Sequence, residues 1–232
     1  MTWGIIAALD AELALILEAM KVQQTKTIYG VEFHIGEIGS SKVVAVCSSV
    51  GTINATACAS VLTRELGATV LVNIGVAGCA CEELEVLDVV LGDEMLFHDA
   101  DTPIIKKYYP HRESFLADPK LIALAEQSIS NMKAEFSYKI GRIATGDIFV
   151  NDPDLKKDII RRVAPLCVEM EGAAIAQVAF MSDLPFLVIR SMSDKSDGSA
   201  SVSFAEFMPK AAKNSAGIVL GMIALAEKNG SL

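Results

Sequence analysis

The sequence predicts an α/β fold of three layers, with helices on both faces of a mixed central sheet, and three observations predict it. Short apolar runs alternate along the chain with helical patterns, which is the order of an α/β protein. Most of those runs are rich in Val and Ile, the composition of strands buried on both faces, so the sheet is expected to be largely parallel. One pair, 27–38 and 42–47, is joined only through Gly39-Ser40-Ser41 and reads as an antiparallel hairpin, which makes the sheet mixed.

In chain order, apolar runs predict strands at 3–9, 43–47, 69–74, 86–91, 140–144, 166–170 and 185–190. Helical patterns fall at 11–21, 53–66, 118–132, 153–163, 172–182 and 205–228. Asp118-Pro119 and Asp152-Pro153 each supply an N-cap followed by a proline in the first turn. The segment from Cys167 to Asp194 reads as strand, helix, strand, because Gly172 to Met181 is rich in helix-compatible residues and Pro185 precedes the next apolar run. Two parallel strands in such a βαβ unit would set Glu171 and Asp194 at one carboxyl edge, where open α/β sheets bind ligands.

No linker or composition break divides the 232 residues, so one domain over 1–232 is expected. Hydrophobic content of 52% is ample for a sizeable core. A net charge of −9 argues against nucleic acid, whose phosphates need a basic surface. No stretch approaches the ~20 uncharged apolar residues of a membrane span. The apolar N-terminus lacks a basic start and is interrupted by Asp10 and Glu12, unlike a secretory leader. Five cysteines form an odd set mostly inside apolar segments, which points to free thiols and a cytoplasmic location. Cys79-Ala80-Cys81 is the one close pair, and no histidine lies near it in sequence, so no metal is expected there. The chain contains neither a GxxxxGK[ST] loop nor a dinucleotide fingerprint, which removes support for nucleotide triphosphate and NAD chemistry. No cofactor is expected.

The informative residues are acids at the ends of apolar runs. A buried carboxylate without partners is costly, so Glu171 and Asp194 need a reason to end their strands. Asp10 and Glu12 suit the charged start of a helix; alternatively, Glu12 faces the same edge as Glu171 and Asp194. Val50-Gly51 and Asn73-Ile74-Gly75-Val76-Ala77-Gly78 follow strands with glycines that let a ligand approach the backbone.

These residues form an ordered set: Gly4 to Glu12, Val50-Gly51, Asn73 to Gly78, His98-Asp99-Ala100-Asp101, Thr145-Gly146-Asp147-Ile148-Phe149-Val150, Val168-Glu169-Met170-Glu171-Gly172, Arg190-Ser191-Met192-Ser193-Asp194 and Ser203-Phe204. The set resembles the purine nucleoside phosphorylase superfamily over nearly the whole chain, and more narrowly the methylthioadenosine/S-adenosylhomocysteine nucleosidases. The resemblance implies a nucleoside phosphorylase-like fold and hydrolysis of an N-ribosidic bond, releasing adenine and an S-substituted ribose. It implies Asp194 as the acid that protonates adenine, Glu171 as the group that binds ribose hydroxyls and steadies the cationic sugar, and Glu12 as the base for water. For Asp194 to serve as an acid near neutral pH its pKa is expected to be raised.

The resemblance further implies Phe149 stacked on the base, the Val150 backbone reading its polar edge and Met170 packed on the ribose. Arg190 would hold the water and acid network, Ser193 would support Asp194, and Leu9, Val50 and Phe204 would line a pocket for the alkylthio group. Ordinary core packing is the competing reading for Phe149, Met170 and Phe204. Glu169, expected on the face opposite Glu171 if the chain stays extended, takes a supporting ribose or structural role. Val76 stands where the family typically carries a hydroxyl, which removes one polar contact, and Thr52 replaces a frequent Lys. The family places His98 to Asp101 near a subunit interface, which disfavours a metal there. It also implies a homodimer in which residues near 102–110, including Ile104 and Ile105, reach the neighbouring pocket. A role in methionine salvage and nucleoside catabolism follows from that activity, and the Gly and Ser content of 195–203 fits a lid.

Residues 2–20 contain no Lys or Arg, so a phosphate dianion would meet only like charge at Glu12, and water is the expected nucleophile. The alternatives are a futalosine or aminodeoxyfutalosine hydrolase, a nucleoside phosphorylase, or, from a different class, a non-catalytic nucleoside-binding or storage protein.

Overall fold

A computed structural model describes residues 1–196 and 200–230 and shows ten strands and seven helices among them. Strand β1 (Thr2–Ala7) runs parallel to both β4 (Ser41–Cys47) and β5 (Val70–Cys79). On one side the sheet continues antiparallel through β3 (Val31–Ile38) to the edge strand β2 (Lys21–Ile28). On the other, β5 pairs in parallel with β10 (Phe186–Asp194) and, through its last residues, antiparallel with β9 (Cys167–Glu169). Strand β6 (Val89–Phe97) pairs antiparallel with β10 and with β7 (Ser114–Leu116), and in parallel with β8 (Tyr138–Thr145), which pairs in parallel with β9. Strands β5, β10, β6, β8 and β9 therefore close into a ring.

Closure corrects two expectations. The sheet is mixed as expected, but it is not largely parallel: the pairings divide equally between the two senses. Strands β9 and β10 are not a parallel βαβ pair either, since β10 is parallel to β5 and β9 is antiparallel to it. Their acids meet because both strands register on the same residue, Gly78, opposite Asp194 on one side and Val168 on the other.

Helices α1 (Asp10–Ala19), α4 (Pro119–Asn131) and α7 (Ala200–Asn229) form one outer layer, and α2 (Thr52–Arg64) and α6 (Gly172–Met181) the other. Trp3, Ile5, Leu71, Ile74 and Leu91 are fully buried between them. Helix α5 (Pro153–Val163) packs on a smaller cluster of Leu96, Val150, Ile159 and Val168 that sits beside the ring.

Several boundaries differ from the sequence reading for identifiable reasons. Helix α1 ends at Ala19, and the next strand, β2, is polar and exposed along almost its whole length, so apolar patterning does not mark it. Tyr29 and Gly30, both at positive φ, turn β2 into β3. Strand β6 begins at Val89, after Leu87 in the left-handed region has bent the chain. Strand β5 continues to Cys79 through the glycine-containing motif read as following it. The short elements α3 (Thr102–Lys107) and β7 carry too few residues for a periodic signal.

Both Asp-Pro starts behave as expected. Asp118 accepts the amides of Lys120 and Leu121 at 2.7 and 3.3 Å, and Asp152 those of Asp154 and Leu155 at 2.8 and 2.9 Å. Replacing Asp118 with Ala is expected to lower the unfolding free energy by about 1 kcal/mol, measured by denaturant titration, with turnover unchanged because this cap lies away from the cavity described below.

Candidate active site

A cavity of about 560 Å³ opens where β1, β5, β9 and β10 end. Its wall is largely apolar and carries four buried acids, Glu12, Glu169, Glu171 and Asp194.

Glu12 arrives there through helix capping. As the third residue of α1 it turns back on its own N-terminus, where one carboxylate oxygen accepts the amides of Ala8 and Leu9 at 3.0 and 2.9 Å. The other accepts the amide of Val76 at 2.8 Å. Capping and facing the cavity, alternatives in the sequence, are thus both realised. Burial pushes the Glu12 carboxyl above its ordinary pKa, while Arg190 and the three amides pull it back.

Glu171 is the N-cap of α6, just past the end of β9. One oxygen accepts the Gly51 amide at 2.9 Å, and the other lies 3.3 Å from Nη2 of Arg190. Its pKa is pushed up to about 7, first by burial and then by the neighbouring Glu169 and Glu12, against the opposing pull of Arg190.

Arg190 is completely buried on β10 and does not line the cavity. It stands behind the acids, with Nη2 bonded to Glu169 and 2.6 Å from Oδ1 of Asn73. Arg190, expected to hold the water and acid network, can act on the cavity only through those carboxylates, since it does not itself border the space. Burial opposes its charge, but Glu169, Glu171 and Glu12 outweigh burial and hold it above the usual guanidinium range. Gly75 leaves room for this packing, since a Cβ there would lie 2.7 Å from a Glu12 oxygen and against the guanidinium.

Glu169 does not point away from Glu171. Residues two apart share a face of an extended chain, and both carboxylates reach Arg190. Glu169 also accepts the amides of Glu171 and Gly172 at 3.0 and 2.7 Å and the hydroxyl of Thr145, so it fastens the start of α6.

Asp194 ends β10 and is buried. One of its oxygens lies 2.8 Å from the Ser193 hydroxyl, and the other accepts the Ser196 amide at 2.8 Å. Leu9, Val50, Val76, Phe149, Met170, Ser193 and Phe204 all border the cavity. Phe149 meets Phe204 edge to face with ring centroids 6.3 Å apart. Val150 is buried and borders instead a small annex of about 40 Å³ that shares Phe149 and Asp194 with the main space. Val76 offers the cavity only its isopropyl group, while its amide holds Glu12.

The sequence reading assigned no roles to Asn73 and Thr145. Asn73 bridges the Ile6 carbonyl, at 2.9 Å, to Arg190, and Thr145 accepts the Ala173 amide at 2.8 Å while bonding Glu169. A polar residue in or at the end of a Val- and Ile-rich run was the available signal for each. His98, Asp99 and Asp101 serve structure: the His98 carbonyl accepts Arg162, Asp99 accepts the Asp147 amide, and Asp101 caps α3. Among the described residues no group of His, Cys, Asp and Glu is arranged to hold a metal. Of the lid expected at 195–203, residues 197–199 lie outside the described residues, and the backbone from 200 onward belongs to α7.

Residues 2–224 match the phosphorylase superfamily. The 5'-methylthioadenosine/S-adenosylhomocysteine nucleosidase of Oceanobacillus iheyensis is 34% identical over 229 residues, spanning 96% of this chain and 99% of the relative. That of Lysinibacillus sphaericus is 36% identical over 227 residues, spanning 95% and 98%. Among solved structures, the nucleosidase of Colwellia psychrerythraea in complex with adenine superposes with a TM-score of 0.92 at 31% identity, covering 97% of this chain and 95% of that one. The Neisseria meningitidis nucleosidase with methylthio-immucillin-A gives 0.91 at 31% identity, covering 96% and 98%. With its cavity acids at the strand ends of this same fold, the chain belongs to the phosphorylase superfamily, in its branch of 5'-methylthioadenosine/S-adenosylhomocysteine nucleosidases.

Proposed function

We propose that the protein hydrolyses the N-ribosidic bond of 5'-methylthioadenosine and S-adenosylhomocysteine, releasing adenine and the S-substituted ribose. The observation that carries this reading is the convergence of four buried carboxylates, Glu12, Glu169, Glu171 and Asp194, on one largely apolar cavity. Asp194 gives its proton to N7 of adenine as the bond from C1' breaks and its electron pair leaves with the base. Glu171 steadies the oxocarbenium-like ribose through its hydroxyls, and Glu12 takes a proton from the water whose oxygen bonds to C1'. Phe149 stacks on adenine, the Val150 backbone reads its polar edge, and Met170 packs on the ribose. Leu9, Val50 and Phe204 receive the alkylthio group, with Val76 beside it.

Water is favoured over phosphate because, among the described residues, the cavity wall holds no Lys or Arg. The buried guanidinium of Arg190 is occupied behind that wall by carboxylates and Asn73. The protein works as one domain, as a homodimer joined near residues 102–110, where Ile104, Tyr108 and Tyr109 are exposed. Its five free thiols support a cytoplasmic setting, and its reaction suits methionine salvage.

Adenine release from both nucleosides is expected to be equal with and without phosphate, with no sugar 1-phosphate formed; strict dependence on phosphate would overturn the hydrolase reading. Faster turnover of aminodeoxyfutalosine in the same panel would reassign the substrate. Asp194→Asn is expected to lose about 10²–10⁴-fold in kcat, and full activity would remove Asp194 as the acid.

The raised Glu171 pKa gives a pH dependence of definite sign. Its useful form is the carboxylate, so kcat/KM is expected to rise with pH on the acid side through about 7. Stability moves the other way. A carboxyl held above its ordinary value of 4.5 favours the folded state below that pH and loses this contribution as pH rises through about 7. Thermal unfolding between pH 5 and 8 is therefore expected to show a smaller decline for Glu171→Gln than for the native chain; parallel profiles would refute this assignment.

A further inference from the structure

Gly51 is the N-cap of helix α2, at a φ of 101° and with no side chain to cap the helix. Two distant acids take its first amides. Glu171 accepts the Gly51 amide at 2.9 Å, and Asp147 accepts the Thr52 amide at 2.7 Å and the Thr52 hydroxyl at 2.5 Å. The absence of a side chain at Gly51 matters here, because a Cβ would sit 3.1 Å from the Asp147 carboxylate. Asp147 is itself oriented by its own amide, which donates to Asp99 at 2.8 Å.

The segment that Asp147 belongs to is anchored at both ends. Gly146 donates to the Glu169 carbonyl at 3.1 Å, and Val150 is buried in the cluster under α5. Between them Ile148 and Phe149 are about half exposed, and Phe149 has the edge of Phe204 as its ring neighbour. The pairing with Thr52 joins the middle of this segment to the start of α2. A two-point bond from a carboxylate at a helix N-terminus has the charge and geometry to fix it.

We propose that Asp147 is a positioning residue. With Thr52 it latches the 146–150 segment to α2, so that Phe149 is held in place to receive the base and affinity for the nucleoside is set by the latch. The role rests on the nucleosidase reading above. The carboxylate does not touch the reacting atoms, and the Gly51 amide that serves Glu171 stays fixed by the helix, whose Ala55 amide donates to the Gly51 carbonyl at 3.1 Å. The effect therefore falls on KM and on binding of adenine rather than on kcat.

The test compares Asp147→Ala, Asp147→Asn, Thr52→Val and Thr52→Ser by steady-state adenine release and by calorimetric binding of free adenine. Asp147→Ala is expected to raise KM and weaken adenine binding about tenfold, with kcat within about threefold of native. Asp147→Asn, which keeps an acceptor for the amide and a donor for the hydroxyl, is expected to recover most of that loss. Thr52→Ser is expected to match the native chain, and Thr52→Val, which keeps the amide and loses the hydroxyl, to fall between. Unchanged KM and adenine affinity in Asp147→Ala, or an Asn variant as impaired as Ala, would overturn the latch. If Asp147→Ala does not fold, the Thr52 pair and Asp147→Asn decide the matter by the same readouts. A native chain that binds adenine but releases none from either nucleoside would overturn the nucleosidase reading instead, and the adenine affinities would still judge the latch.

Discussion

The site depends on one buried cation. The Arg190 guanidinium is out of contact with water and faces Glu169 and Glu171 directly, with Glu12 within reach of its field. Three acids this close in a dry wall would otherwise repel one another and take up protons. Desolvating the ion group costs several kcal/mol per charge, and removing one partner of such a pair is worth on the order of 3–5 kcal/mol because the others are left exposed to each other. Asn73 and the backbone amides at Glu12, Glu169 and Glu171 supply the remaining hydrogen bonds, which is why the group is tolerated in a hydrophobic core.

Backbone geometry makes that cation possible. Arg190 lies opposite Gly75 on β5 and opposite Val90 on β6, inside the closed ring of strands. A side chain at position 75 would occupy the space of the guanidinium, and one at Gly78 would run into the Ser196 hydroxyl and lie 3.0 Å from Asp194. The two glycines thus set the distance from β5 to the acids on either side of it. Ring closure does the rest, since it brings β9, running against β5, to the same residue that β10 reaches by running with it.

This arrangement explains which parts were legible in the sequence. Buried strands such as β1, β4 and β10 announce themselves because their environment selects Val, Ile and Leu, and the two Asp-Pro caps act within three residues of their helices. The acids at strand ends stood out because charge is rare there. Strand β2 did not stand out, since an exposed edge strand is under no such selection. Sheet closure, the bridging role of Asn73 and the pairing of Thr52 with Asp147 depend on contacts between residues far apart in the chain, 95 positions for Thr52 with Asp147 and 117 for Asn73 with Arg190, and no local pattern records them. The parallel βαβ reading failed for the same reason: strand, helix, strand in sequence does not state which neighbours each strand will choose.

The same charge group also divides labour among the acids by what each is tied to. Glu12 accepts three amides, which oppose the upward push of burial and favour the carboxylate form that the proposed base for water needs. Glu171 has one amide and a share of Arg190, and burial raises its pKa to about 7, which in the proposed reaction suits a hydrogen bond with a sugar hydroxyl. Asp194 is held by the Ser193 hydroxyl and the Ser196 amide and borders both the cavity and the annex that Val150 lines. With the cation engaged behind the wall, no positive side chain among the described lining residues is left to welcome a dianion. The cation that permits Glu12, Glu169 and Glu171 to share one wall is therefore withheld from the cavity itself, which is why the proposed reaction uses water rather than a dianion.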